Sequence, residues 1–152
     1  MWINLQRSNR HVDSRKGGAI SVKFIYKSDG NVDIVVAPEI PVSPRTFRQL
    51  LANRLVIDRI RAENIDISRY SDLLTLLEKK RSGCFGEEFV AVEEKIRETI
   101  QLGDIDQLEA LLLNPHQEFE PYRILRPLVS KFSTDEIRKI VASRPRNQVQ
   151  FA

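Results

Sequence analysis

The chain has 152 residues, 41% apolar and 30% charged, with seven prolines, six glycines and a net charge of +3. That composition fits a globular domain large enough to bury its own core, and excludes disordered, collagen-like and disulfide-stapled chains. A single cysteine, Cys84, and no apolar run longer than the four residues of Ala110–Leu113 point to a reducing, cytoplasmic setting without a membrane span, which needs roughly 18 apolar residues.

The modest net charge hides segregation. Residues 1–81 carry 15 basic against 9 acidic residues, a balance of +6. Residues 82–122 carry 2 against 10, a balance of −8, and residues 123–152 carry 7 against 2, a balance of +5. Such asymmetry bears on association and on pairing between segments, not on fold.

In chain order, residues 1–17 begin Met-Trp-Ile-Asn and hold Arg7, Arg10, Arg15 and Lys16. With no apolar stretch they do not resemble a secretory leader, and with no periodicity after Leu5 they read as a flexible basic arm. Residues 19–27 then alternate, placing Ile20, Val22, Phe24 and Tyr26 on one face of a strand. Ser28-Asp-Gly-Asn31 and the β-branched run 32–36 complete the signature of a β-hairpin, because Asp-Gly tolerates the positive φ of a tight turn.

Prolines 38, 41 and 44 then exclude helix or central strand until Ser43, a capping residue followed by proline at the first helical position. The helix predicted from Pro44 to Ala62 spreads its apolar residues over most of its circumference, as a helix central to a core does. Ser71 starts a short helix that ends in Lys79-Lys80-Arg81 before Gly83. Glu87-Glu88 opens the next, and Gly103 stops it. Asp104 with Gln107, and Ser133 with Glu136, resemble capping boxes for helices 104–113 and 133–143. Pro127 should break any helix across residues 120–132, and residues 145–152 read as a flexible tail.

A hairpin followed by a proline-rich crossing and a buried helix is similar, over roughly 40 residues, to the first half of a ubiquitin-like β-grasp fold. Leu102-Gly-Asp-Ile-Asp-Gln-Leu-Glu-Ala-Leu-Leu112 resembles the Gly-Asp stretch and second helix of an ankyrin repeat. That likeness spans about a dozen residues, without the Thr-Pro-Leu-His hallmark or a second copy near a period of 33. The fold class expected from the residues is α+β, an N-terminal hairpin packed on a central helix and followed by a bundle of short helices. A single domain is expected over residues 18–144, with a sub-boundary near 82–86.

Few residues offer catalytic chemistry. Cys84 lies in Ser82-Gly-Cys-Phe-Gly86 just before a helix start, where a thiolate could be stabilised, but a cysteine nucleophile also needs a base. His11 and His116 are the two histidines of the chain. The spacings of a zinc site, a calcium loop and a phosphate-cradling glycine loop are missing, so no metal and no cofactor are expected.

The basic elements carry more. From Arg45 to Arg69 stand six arginines and no lysine, and on a helical wheel Arg45, Arg48 and Arg59 fall within about 60° while Arg54 and Arg61 lie opposite. Guanidinium groups suit bidentate contact with phosphate or carboxylate. With Arg7, Arg10, Arg15 and Lys16 they form a candidate surface for phosphate or an acidic partner; the alternative is pairing with the acidic segment 82–122 of the chain itself. The expected function is a non-enzymatic protein–protein interaction or regulatory module, such as an adaptor, chaperone-like factor or effector. Its partner is another protein or a second copy in a homodimer, met along the hairpin edge of Ile20, Val22, Phe24 and Tyr26. A nucleic-acid-binding accessory protein is the second reading and a small cysteine-dependent enzyme the third.

Overall fold

The longest element in the computed structural model is α1, Pro44–Ala62, and its first turn follows from the sequence. The Ser43 hydroxyl accepts from the Thr46 amide at 3.1 Å, and Pro44 occupies a position where no amide proton is needed. Every residue from Gln49 to Asp58 is buried, so α1 is surrounded rather than laid on a surface. The structure describes the backbone of residues 9–14, 18–28, 32–37, 42–143 and 149–151, and side chains at 23–28, 35 and 42–142.

Six further α-helices follow among the described residues: α2 (Asp72–Ser82), α3 (Glu88–Leu102), α4 (Ile105–Leu112), α5 (Glu120–Ile124), α6 (Pro127–Phe132) and α7 (Asp135–Ser143). Helices α4, α5, α6 and α7 pack on α1, while α2 packs on α3 and α6. Leu50, Leu51, Leu55 and Ile57 of α1 share one core with Leu73 and Leu77 of α2, Ile96 of α3, Leu108 of α4 and Leu128 of α6. Fully burying one such side chain contributes about 1.5–3 kcal/mol, and α1 supplies eight of the buried apolar residues described, more than any other element.

The helix boundaries have local causes. Gly103 ends α3 with φ +68°, and the Asp104 carboxylate caps α4 by accepting from the Gln107 amide at 3.0 Å. Pro127 does break the chain, and a new helix starts on it, because a first-turn position requires no amide donor. The stretch 120–132 is thus two short helices. The capping box expected at Ser133 moves by one residue: Ser133 closes α6 through its amide to the Val129 carbonyl, leaving the Thr134 hydroxyl to accept from Ile137 at 3.1 Å.

The α+β class is corrected. Among the residues with described side chains, 72% are helical, and the strand residues there are 23–26 and 35. The turn residues Asp29, Gly30 and Asn31 of the expected hairpin lie outside the described residues. Extended backbone is recorded at β1 (Asn9–Ser14), β2 (Gly18–Tyr26), β3 (Val32–Ala37) and β4 (Val149–Phe151), aligned in that order, with β2 antiparallel to β1 and β3. The physical reason for the correction is where the apolar surface goes. The helices bury one another, and Phe24 is the one strand residue among the described buried apolar residues. Of the expected basic arm, residues 1–8 and 15–17 lie outside the described residues, as do residues 145–148 and 152 of the expected tail.

Candidate functional site

Most arginines of α1 are consumed inside the fold. Arg54 is 1% exposed and donates to Asp58 at 3.1 Å and to Glu109 of α4 at 2.5 Å. Arg61 meets Asp106 and Glu109, and Arg45 lies 3.7 Å from Glu120. Pairing with the acidic segment is therefore the fate of Arg45, Arg54 and Arg61. Arg59, expected to share a phosphate-binding face with Arg45 and Arg48, instead donates to Glu63 at 2.7 Å and to the Phe132 carbonyl at 2.6 Å. It ties α1 to the end of α6.

A different set of cations converges on an open cleft of about 960 Å³. The first turns of α1 supply Arg45, Arg48 and Gln49; the end of α2 supplies Leu76, Lys79 and Lys80, followed by Gly83 and Cys84. Across from these stand Arg123, Ile124, Arg126 and Ser130 of α5 and α6, and Val141 of α7. Among the described residues six cations line the cleft and no carboxylate does; Glu120, outside the lining, lies 3.7 Å from Arg45. Lys79 and Lys80 have a local reason to be there, since positive charge in the last turn of α2 complements the helix dipole. A second cavity of about 350 Å³ shares Lys80, Arg126, Ser130 and Val141, so the cleft continues between α6 and α7.

Arg123 forms its floor. The side chain is 1% exposed, yet its hydrogen bonds go to neutral oxygens: Nε donates to Gln49 Oε1 at 3.2 Å, and Nη1 to the carbonyls of Asn114 and His116. Burial pushes its pKa down to about 10; nearby Glu120 opposes the shift and Arg45 adds to it. The group remains a cation at neutral pH, held in place by two backbone carbonyls. Arg48, Lys79, Lys80 and Arg126 have no ion pair among the described residues.

The candidate residues read from sequence therefore separate. Arg45 and Arg48 reach the cleft, and Arg59 does not. The side chains of Arg7, Arg10, Arg15, Lys16, Ile20 and Val22 lie outside the described residues. Phe24, expected at an interaction edge, is 2% exposed, with its ring 6.4 Å from that of Phe47, and Tyr26 also packs against the core. This face is turned inward at both positions. Cys84 donates to the Lys80 carbonyl at 3.3 Å, and no hydrogen bond joins it to His116 among the described residues.

Sequence reasoning missed Lys79, Lys80, Arg123 and Arg126 as site residues. Arg123 and Arg126 flank the break before Pro127, and that position beside a chain reversal was the available signal. Among the described residues no helix is long and apolar enough to cross a membrane, and no group of three metal-ligating side chains converges. The chain matches no known family, no curated protein and no solved structure.

Proposed function

We propose that the chain is a non-enzymatic interaction module that holds an acidic segment of a partner protein in the cleft between α1, α2, α5 and α6. The observation that carries this reading is the lining of six cations without a carboxylate. Complementary charge attracts and orients a partner, while Leu76, Ile124 and Val141 offer apolar contact to the stems of its side chains. Arginine at such a surface favours planar carboxylates, which accept two parallel hydrogen bonds.

Nucleic acid is the second reading, favoured by the lack of ion-pair partners for Arg48, Lys79, Lys80 and Arg126. Among the described residues the cleft lining has no aromatic side chain on which a base could stack, so the protein partner is preferred. The two separate in a binding assay using a fluorescein-labelled glutamate-rich dodecapeptide and a single-stranded RNA 12-mer. The peptide should bind, and Lys79→Glu with Lys80→Glu should abolish binding without changing the melting temperature by more than a few degrees. Binding of the RNA alone would overturn the proposal in favour of the second reading; binding of neither would overturn both.

A further inference from the structure

Two arginines in this protein are buried to the same degree and treated differently. Arg54 faces the carboxylates of Asp58 and Glu109, so its charge is neutralised where it sits. Arg123 donates to Gln49 and two carbonyl oxygens, and Glu120, which favours its charge from nearby, makes no ion pair with it among the described residues. A buried charge without a charged partner in contact is expensive, and the arrangement becomes favourable once an anion arrives. Nε and Nη1 of Arg123 are engaged, whereas Nη2 has no acceptor among the described residues. The anchor is therefore fixed in orientation and still has donors to give.

We infer that the cleft is a phosphate-monoester site with Arg123 as its anchor, so that the acidic segment it holds carries a phosphorylated side chain. This rests on the reading of the cleft as a protein-binding site. A monoester carries close to two negative charges at neutral pH and three terminal oxygens, which can meet Arg123 at the floor together with Arg48, Arg126 and Lys80 from the walls. A carboxylate brings one charge and two oxygens. A nucleic-acid diester brings one charge per phosphate on a continuous backbone, and suits a rim of exposed lysines better than a single buried guanidinium.

The test uses the full chain and two acidic dodecapeptides that differ only by phosphoserine in place of serine, with inorganic phosphate and a single-stranded RNA 12-mer as competitors. The phosphopeptide should bind about 10–100-fold more tightly, the range expected for an added hydrogen-bonded ion pair. That advantage should shrink between pH 7.5 and pH 5, as the monoester loses its second charge near pH 6. Arg126→Gln, on the cleft wall, should reduce the advantage while leaving the melting temperature unchanged. In the wild type the Nε–H resonance of Arg123, assigned by its loss in Arg123→Lys, should move on binding. Equal affinity for the two peptides would overturn the inference and leave the proposed function standing. Binding of neither peptide would overturn both. An unmoved Arg123 resonance, or RNA displacing the phosphopeptide at lower concentration than inorganic phosphate does, would also overturn the inference. Equal affinity for inorganic phosphate and the phosphopeptide would overturn it as a protein site and assign the cleft to free phosphate.

Discussion

Arg54 on α1 and Glu109 on α4 meet at 2.5 Å in the core, 55 residues apart in the chain. Asp58, one turn along α1, shares the same guanidinium at 2.9 Å. The pair joins the basic first half of the protein to its acidic middle. It also shows why the charge segregation in sequence does not become a charged surface at this point: the opposite signs are spent on each other inside the fold.

Removing one partner of this cluster should cost far more than exchanging an exposed charge. Arg54→Ala takes the Arg54 charge away from the buried carboxylates of Asp58 and Glu109, and is expected to destabilise the protein by about 3–5 kcal/mol. Urea denaturation measures it. Arg138→Ala, which removes an exposed pair with Asp135, should change stability by about 0–1 kcal/mol and serves as the control.

Gly103 should resist substitution for two reasons. Its φ of +68° is left-handed, and a Cβ placed there would lie 3.3 Å from Asp66 Oδ1. Gly103→Ala is expected to cost about 1–2 kcal/mol from the backbone alone. The reduction should be visible as a lower midpoint in urea with an unchanged slope.

Asp66 should titrate below its ordinary value of 3.8. The Ser68 hydroxyl lowers it most, followed by the Ser68 amide; desolvation acts the other way, and Arg69 adds a smaller lowering. Both Ser68 bonds favour the ionised form, at 2.6 Å from the hydroxyl and 3.1 Å from the amide. A carboxylate whose pKa is depressed by folding stabilises the fold above its unfolded pKa, and loses that contribution as pH falls through the folded value. The effect is therefore confined to the acid range below about pH 4. Carbon-detected NMR titration should show the Asp66 pKa rising toward 3.8 in Ser68→Ala.

Cys84 lines the cleft and donates a hydrogen bond to the Lys80 carbonyl. Cys84→Ser should shift stability by no more than about 1–3 kcal/mol and leave peptide binding intact. A bulky maleimide adduct on the wild-type thiol should weaken binding of the acidic dodecapeptide, because it occupies space beside Lys80. Anisotropy before and after labelling measures the difference.

Local signals were legible wherever one residue type has one physical use. Ser43-Pro44, Gly103 and the Asp104–Gln107 cap were readable because they satisfy the few free backbone groups at helix ends. The centrality of α1 was readable from apolar residues on most of its faces. The weight given to the strands was not, because alternation at Ile20–Tyr26 says which residues share a face but not how much core that face supplies. Phe24 packs inward, and the helices supply almost everything else described. The cleft was legible only at Arg45 and Arg48. Its other cations lie on three separate elements, and Lys79 and Lys80 already had a sufficient local explanation as C-terminal helix charges.

Mapping amide chemical shifts while adding the unphosphorylated glutamate-rich dodecapeptide tests the central claim, that the basic cleft is where a partner is held. The predicted result is a contiguous set of shifts covering Arg45, Arg48, Lys79, Lys80, Arg123 and Arg126, with Arg59 and Arg61 unmoved. Shifts centred on any other surface, or none at millimolar peptide, would contradict it.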